Sequence, residues 1–327
     1  MQDKFFIILL CLAGLTLVLI LLQRQAKRHK IIVWKLAAFA SGLALLVAIL
    51  AACQLARISA LSYIHPTRIP VTQEPSHFGI SAYRQVEFLT PDGLLLRGWH
   101  IPTRNGAMII LVHGHGGNRT QLLDEAALLS QEGYGVLMYD ARNCGESEGQ
   151  VTTFGLLEAN DLRAALDFIL DQPGVDADRI AALGHSMGGA TVLLAAADLL
   201  EIQAVVVEST YANLESNLRA HLDRYTGLPY IPFGPLVIFW GEHDSGVELN
   251  QVRPVDVITA ISPRPILLVH GALDQVMPVE NAYQLYEAAS EPKELLILKG
   301  AGHCCLARDG GQIYQRRLLE FFRKTLQ

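Results

Sequence analysis

A short apolar strand runs directly into a glycine-framed serine in the middle of this chain of 327 residues. Residues 180–188 read Ile-Ala-Ala-Leu-Gly-His-Ser-Met-Gly, so that Ser186 stands between Gly184 and Gly188. This pattern is typical of a sharp turn from strand to helix, which needs small residues because the two elements approach closely there. The pattern therefore predicts a mainly parallel sheet with a nucleophilic serine at its carboxyl edge.

Two later residues supply the partners that such a serine needs. A serine hydroxyl is a weak nucleophile until a base stands beside it. Asp274 and His303 each lie just beyond a strand-like apolar run, in the chain order Ser, Asp, His. We expect His303 to take the proton of the hydroxyl and Asp274 to hold the imidazole in the required tautomer.

A tetrahedral intermediate also needs hydrogen-bond donors for its oxyanion. The amide of Met187, the first residue after the serine, is one donor by position. We expect the second in the loop of residues 113–118, His-Gly-His-Gly-Gly-Asn, on the amide of His115, with Gly114 or Gly116 as alternatives. Gly114 is also expected to contact the substrate. The two histidines of this loop form only a weak metal pair, so neither a metal nor another cofactor is expected.

From residue 83 the chain alternates short apolar runs with longer amphipathic ones. Such alternation is typical of α/β proteins in which helices cover both faces of a mostly parallel, doubly wound sheet. We expect about eight strands in a domain over residues 83–327. A proline-punctuated stretch at residues 61–82 is interpreted as a linker.

Residues 84–325 resemble the α/β-hydrolase superfamily, and within it the serine hydrolases grouped with serine aminopeptidase-like and monoglyceride-lipase-like enzymes. The matching elements are the His113-Gly114 loop, the segment Tyr139 to Ser147, the Gly184 to Gly188 elbow, His270-Gly271-Ala-Leu-Asp274 with Pro278, and Gly302-His303. The resemblance implies the α/β-hydrolase fold and an acyl-enzyme mechanism. It also implies a structural role for the segment around Asp140, where Cys144 replaces a more usual aromatic or aliphatic residue.

Three other residues near the predicted site compete for catalytic roles. Glu208 closes an apolar run where some hydrolases place their acid, and Asp256 precedes the next such run. The resemblance favours Asp274, because the family places its acid between a strand and a helix that begins at a proline. His185 is expected to pack or to form part of the substrate wall, since neighbours at an elbow point in different directions.

Residues 211–262 are the least regular part of the domain and are interpreted as a lid. An insertion after the strand that follows the elbow would overhang the serine. Its aromatic side chains are expected either to line an acyl or aryl pocket or to pack the lid onto the body. They are Tyr225, Tyr230, Phe233, Phe239 and Trp240, of which Tyr230, Phe233 and Trp240 are the candidate substrate contacts.

Two apolar segments precede the linker, at residues 5–22 and 33–56. At about 1.5 Å per helical residue they reach, or nearly reach, across a ~30 Å hydrocarbon core, which predicts a transmembrane hairpin over residues 1–60. The basic connection between them should be cytoplasmic, so that both termini and the catalytic domain are extracytoplasmic. A cleavable signal peptide over residues 1–22 is the disfavoured alternative, because the n-region is nearly neutral and no Ala-x-Ala site follows.

The second apolar segment carries a stripe of small residues. Ala40, Ala44, Ala48 and Ala52 recur at every fourth position, where another helix can approach closely. The first apolar segment is the favoured partner, and self-association is the weaker alternative.

Charge is divided unevenly along the chain. Seven of the 26 basic residues but only one of the 32 acidic residues precede residue 58, so the remainder carries 19 basic against 31 acidic residues. A domain this acidic has no electrostatic footprint for nucleic acid and is not drawn to anionic lipid by charge. The hairpin is therefore the expected membrane attachment.

Cysteine usage constrains the chain less. Cys11 and Cys53 fall in the apolar segments, and Cys144, Cys304 and Cys305 have no metal-type spacing. In an oxidising compartment Cys144 could pair with one of the vicinal cysteines, but unpaired thiols are the favoured interpretation.

Together these features predict a membrane-tethered serine hydrolase that cleaves carboxylic esters of small-molecule or lipid-derived acyl substrates. A serine peptidase or amidase of the same fold is one alternative. It would be favoured by a charged lid residue facing the serine, such as Arg219, Glu242 or Asp244. A membrane interaction protein on a non-catalytic hydrolase scaffold is the other alternative.

Overall fold

The computed structural model describes residues 16–18, 30–222, 224 and 227–327. Within these ranges eight strands form one sheet in the order β1-β2-β4-β3-β5-β6-β7-β8. The strands are β1 Arg84–Leu89, β2 Leu95–Ile101, β3 Met108–Val112, β4 Gly135–Tyr139, β5 Ile180–His185, β6 Ile202–Glu208, β7 Ile266–Gly271 and β8 Lys293–Leu298. Strand β2 pairs antiparallel with both β1 and β4, and every other neighbouring pair is parallel.

Helices cover both faces of this sheet. The helices of the described ranges are α1 Lys30–Ile64, α2 Leu123–Gln131, α3 Glu158–Leu170, α4 Met187–Ala196, α5 Leu214–His221, α6 Tyr230–Ser245, α7 Pro254–Val257, α8 Glu280–Ala288, α9 Leu306–Asp309 and α10 Gly311–Thr325. One core lies between the sheet and α3, α4 and α8, and a second lies between the sheet and α2, α9 and α10. Because both faces are covered, the central parallel strands are continuous apolar runs. The predicted mostly parallel, helix-covered sheet of eight strands is confirmed.

Helix α1 coincides with the second predicted membrane segment, residues 33–56. Its stretch Val33–Ile64 is long and apolar enough to cross a membrane, with a mean hydropathy of 2.5 and only 6% of its most apolar window buried. It is the one helix of this kind in the described ranges. Of the first predicted segment the structure describes only residues 16–18, which are helical, so the two-pass hairpin stays a prediction.

The predicted linker at residues 61–82 begins too early. Helix α1 continues through Ile64, whose side chain is buried against the α/β domain, in a cluster with Phe154 and Tyr211. The helix stops at His65 because the residue before a proline is disfavoured in helical conformation, and Pro66 follows. The rest of this stretch holds one short 3₁₀ helix, Pro75–Phe78.

The predicted lid at residues 211–262 is more regular than the sequence indicates. It contains α5, α6 and α7 together with two 3₁₀ helices, Leu249–Gln251 and Ile258–Ile261. Helix α6 lies alongside α1, where its Phe233 and Val237 share a cluster with Ala56 and Ala60. The lid is therefore attached to the apolar helix as well as to the body of the domain.

Candidate active site

Ser186 occupies the turn between β5 and α4, in a conformation that few residues adopt. Its φ of 55° and ψ of −118° place a non-glycine residue at positive φ, which costs free energy and is typical of functional sites. The flanking glycines make the turn feasible. A Cβ on Gly184 would lie 2.1 Å from the Gly188 carbonyl oxygen, and one on Gly188 would lie 2.1 Å from the Val112 carbonyl oxygen. Close approach of three backbone segments thus fixes the serine.

The structure brings the three predicted side chains together. The Ser186 hydroxyl donates to Nε2 of His303 over 3.0 Å, and Nδ1 of His303 donates to Oδ2 of Asp274 over 2.8 Å. The other oxygen of Asp274 accepts the amides of Val276 and Met277 at 2.8 and 2.7 Å. These contacts hold the carboxylate in place while it faces the imidazole. The residues follow β5, β7 and β8, whose carboxyl ends share one edge of the sheet.

Burial and hydrogen bonding shift the two ionisable groups in ways that suit proton transfer. Burial by itself raises the pKa of Asp274, but hydrogen bonds from His270 and His303 overcome it, so the net pKa is below the usual value. Burial lowers the pKa of His303, and the hydrogen bond to Asp274 offsets this only in part. At neutral pH Asp274 is therefore ionised and His303 is a neutral acceptor for the serine proton.

The amides available beside the serine are those of Met187 and His115. The Gly114 amide donates to Oε1 of Gln121 at 2.7 Å, and Gly116 does not line the cavity above the serine. Neither the Met187 nor the His115 amide has a protein acceptor among the described residues, and both residues line the cavity above the serine. This leaves two donors free for a ligand.

The His115 ring connects this loop to helix α1. Its Nε2 donates to the Tyr63 carbonyl at 2.7 Å, and its ring stacks on Phe154 with centroids 5.2 Å apart. The nearby Ile64 carbonyl accepts the Thr152 amide at 2.8 Å. The last carbonyls of α1, which have no intrahelical donor, are thus bonded to the catalytic domain.

A cavity of about 250 Å³ lies over Ser186. Its wall is mostly apolar and comes from three parts of the chain: the end of α1, the lid, and the loops of the body. The lining residues include Ala60, Tyr63 and Ile64 of α1, Val237, Ile238 and Gly241 of α6, and Gly114 of the body, which was predicted to contact substrate.

The other predicted substrate contacts in the lid do not line this cavity. Phe233 is buried in the cluster between α6 and α1. The guanidinium carbon of Arg219 lies 4.0 Å from the ring centroid of Tyr230. That of Arg57 lies 5.0 Å from the ring centroid of Trp240. From α6 the cavity is lined instead by Val237, Ile238 and Gly241. The three aromatic residues therefore pack the lid, which was the alternative interpretation.

Of the two other lid aromatics, only Phe239 is described, and it does not line the cavity. Phe239 is 56% exposed, and Tyr225 is outside the described residues.

His185 packs beside His303, with ring centroids 5.0 Å apart, and the side chains of the two rival acids do not contact the triad. His185 is buried, and burial lowers its pKa to about 4. Its Nδ1 lies 3.8 Å from Glu208, which in turn accepts a hydrogen bond from the Tyr314 hydroxyl. Asp256 pairs with Arg253 at the surface. His185 is thus a packing residue and not part of the substrate wall.

The histidines of the glycine-rich loop do not form a metal site. Both ring nitrogens of His113 are engaged, one by the Ala141 amide and one by the Gly114 carbonyl. No cluster of three or more His, Cys, Asp or Glu suited to a metal is present among the described residues.

The described cysteines are all free thiols: Cys53, Cys144, Cys304 and Cys305. Burial raises the pKa of Cys144 to about 12. The disulfide considered as an alternative is therefore not formed here.

Sequence reasoning missed the part of the cavity wall that α1 contributes. Ala60, Tyr63 and Ile64 were assigned to the end of the membrane hairpin and to the linker. The signal that could have found them is Pro66, which predicts a helix end at His65 rather than before Leu61.

Comparisons with known proteins agree with this architecture. The model of the prolyl oligopeptidase family matches residues 121–327, which include the serine, aspartate and histidine described above. The uncharacterized protein YfhR of Escherichia coli K12 is 30% identical over 251 residues, covering 74% of this chain and 81% of YfhR.

Two solved structures show the fold directly. The esterase Pf2001 of Pyrococcus furiosus matches with a TM-score of 0.69 and 25% identity, over 81% of this chain and 99% of the esterase. The α/β hydrolase GrgF of a Penicillium species matches with a TM-score of 0.60 and 27% identity, over 75% of this chain and 99% of GrgF. They confirm the predicted α/β-hydrolase fold.

The backbone contact at Gly188 predicts that Gly188→Ala abolishes the reactivity of the serine. The added methyl group would overlap the Val112 carbonyl, so the turn must open and move Ser186 away from His303. Labelling with a fluorophosphonate should fall to background. Gly300→Ala is the matched control, because nothing lies within 4 Å of its new Cβ, and it should label like the wild type. Normal labelling of Gly188→Ala would contradict the geometry.

The lowered pKa of His303 predicts how the reactivity of Ser186 depends on pH. Only the neutral imidazole accepts the serine proton, so the rate of phosphonylation should fall as pH drops through the pKa of His303. Because that pKa is lowered, the midpoint should lie below the ordinary histidine value of about 6.5. A midpoint at or above 6.5 in the rate–pH profile would show that the hydrogen bond to Asp274 raises the pKa of His303 by at least as much as burial lowers it.

Proposed function

Because the chain belongs to the prolyl oligopeptidase family, we propose that it is a membrane-anchored serine hydrolase that cleaves carboxylic esters through an acyl-enzyme intermediate. The observation that carries the proposal is the continuous hydrogen-bond path from Ser186 through His303 to Asp274, at the floor of an apolar cavity. A non-catalytic hydrolase scaffold would have no need to keep a serine at positive φ beside a neutral histidine.

In the proposed reaction Ser186 Oγ attacks the ester carbonyl while His303 Nε2 takes the hydroxyl proton. Asp274 stabilises the resulting imidazolium, and the amides of Met187 and His115 hold the oxyanion. The tetrahedral intermediate collapses, and His303 gives its proton to the departing alkoxide. Water then attacks the acyl-enzyme while His303 takes one of its protons, and the bond between the acyl carbon and Ser186 Oγ breaks as His303 returns that proton to Ser186 and the carboxylic acid leaves.

The cavity wall favours an ester with an apolar acyl group over a peptide. A peptidase that reads a chain terminus needs a charged group facing the serine. In the lid, Arg219 pairs with Glu215, Asp244 pairs with Arg57, and Glu242 accepts the Asn250 amide. None of these lines the cavity. Peptide or amide cleavage remains the second candidate because the family description is that of an oligopeptidase.

The proposal of a membrane anchor rests on α1. Its apolar side chains from Trp34 to Leu50 are largely exposed, which is unfavourable in water and normal in lipid. The basic connection before it supports an extracytoplasmic catalytic domain. Tethering suits lipid-derived acyl esters as substrates.

Fluorophosphonate labelling of the full chain tests the nucleophile. Wild type should label, and Ser186→Ala should not. Ser209→Ala is the matched control, because it removes another buried serine hydroxyl at the end of the adjacent strand β6, and it should label normally. Turnover of a p-nitrophenyl ester series against a peptide p-nitroanilide then separates esterase from peptidase. Faster cleavage of the anilide, or equal labelling of Ser186→Ala, would overturn the proposal.

A second pair of variants tests the acid. Asp274→Asn should lower kcat by about 10⁴-fold, because the amide favours the wrong histidine tautomer. Glu208→Gln should change kcat much less, since burial raises the pKa of Glu208 to about 7 and its partner is Tyr314 rather than His303. Steady-state ester hydrolysis measures both. The reverse ranking would make Glu208 the catalytic acid.

A further inference from the structure

We propose that the outer face of lid helix α6 lies on the lipid bilayer beside α1, so that acyl esters enter the active-site cavity directly from the membrane. The inference rests on the proposed anchor and ester hydrolysis and adds a second membrane contact to them. The outer face is defined by Ile231, Pro232, Pro235 and Phe239, all of which are exposed.

Helix α6 is apolar on both sides. No charged residue occurs from Tyr230 to Trp240. The inner side is covered, with Phe233 and Val237 buried against α1 and the body, whereas Ile231 and Phe239 on the outer side are 67% and 56% exposed. A helix that is apolar all round is normally buried on every side or held in a membrane. The outer face therefore needs an apolar partner.

Helix α1 identifies that partner as lipid. At about 1.5 Å per residue, its stretch from Leu36 to Ala56 is ~32 Å long, which matches the hydrocarbon core of a bilayer. Arg57, the first charged residue after this stretch, marks the level at which α1 leaves the hydrocarbon.

Arg57 also fixes α6 at that level. Its guanidinium donates to both carboxylate oxygens of Asp244 at 3.1 and 3.3 Å and stacks on Trp240 at 5.0 Å. Phe239 packs edge-on against Trp240, with ring centroids 5.3 Å apart. Tryptophan beside arginine at the end of a membrane helix is typical of the membrane–water interface. The apolar outer face of α6 thus continues the apolar surface of α1.

The cavity is close to the same interface. Ala60, Tyr63 and Ile64 follow Arg57 by one to two helical turns, or roughly 5–11 Å along α1. They line the cavity together with Val237 and Ile238 of α6. An acyl chain could therefore pass from the bilayer to Ser186 between two apolar helices without crossing water.

The charge of the domain defines the kind of membrane contact. With 19 basic against 31 acidic residues after residue 57, attraction to anionic lipid is not the driving force. Burial of the apolar outer face must supply it, so the contact should form on zwitterionic phosphatidylcholine and should be insensitive to salt.

Tryptophan quenching in phosphatidylcholine vesicles tests the contact in the full-length protein. Trp34→Phe removes the tryptophan of α1, and Phe239→Trp or the control Leu200→Trp adds one back. Leu200 is 67% exposed. It lies just before β6, at the amino end of that strand, whereas Ser186 lies at the carboxyl ends of the parallel strands. Lipid with brominated acyl chains should quench the added emission of Phe239→Trp at low and high salt and leave that of Leu200→Trp unchanged.

Equal quenching of the two, or none at Phe239→Trp, would overturn the proposal. If the emission of Phe239→Trp is the same with and without lipid but its wavelength changes with protein concentration, the outer face of α6 would instead contact a second copy of the chain.

Substrate preference gives an independent readout. For Ile231→Ser/Phe239→Ser, the rate on a vesicle-borne long-chain monoacylglycerol relative to soluble p-nitrophenyl acetate should fall about tenfold, because less apolar surface holds the lid at the membrane. Leu200→Ser/Ile313→Ser, which alters two exposed side chains elsewhere, should keep the wild-type ratio. An unchanged ratio in the first variant would contradict the proposal.

The outcomes separate this proposal from the one on which it rests. Wild-type protein that fails to float with vesicles contradicts the anchor and the lid contact together. Flotation without quenching at Phe239→Trp contradicts the lid contact alone. Quenching without ester turnover supports the lid contact and contradicts the proposed reaction.

Discussion

The close backbone approach at the end of β5 is the constraint on which the site depends. Gly184 and Gly188 let the start of α4 pass against the Val112 carbonyl, and Ser186 is thereby held at a φ of 55°. The free-energy cost of that conformation is carried by a sheet whose central strands are buried on both faces. Because β5, β7 and β8 are parallel, their carboxyl ends bring histidine and aspartate to the same edge.

The second organising feature is the way the apolar helix ends. The last carbonyls of α1 accept hydrogen bonds from the body, including the His115 ring on the Tyr63 carbonyl and the Thr152 amide on the Ile64 carbonyl. The helix proposed as the anchor and the loop proposed to carry an oxyanion donor are therefore one connected unit. Removing the helix would open the cavity wall as well as remove the proposed anchor, which makes α1 part of the site.

Much of the site was predictable because its residues follow local rules. The elbow is read from glycine spacing, and Asp274 and His303 from their places after strands, so the sequence brought them to one edge of the sheet. The lid was not predictable, because which side of α6 faces the serine depends on how Phe233 packs on α1. The reach of α1 into the cavity was missed because prolines after Ile64 resemble a linker, although the helix stops only where Pro66 requires it.

Rapid-quench mass spectrometry can detect the covalent intermediate proposed on Ser186. The full chain is mixed with a p-nitrophenyl ester, quenched in acid during turnover and digested. The digest should contain a peptide whose mass is raised by one acyl group, located on Ser186. Turnover without an acylated peptide, or acylation of Cys304, which also lines the cavity, would contradict it.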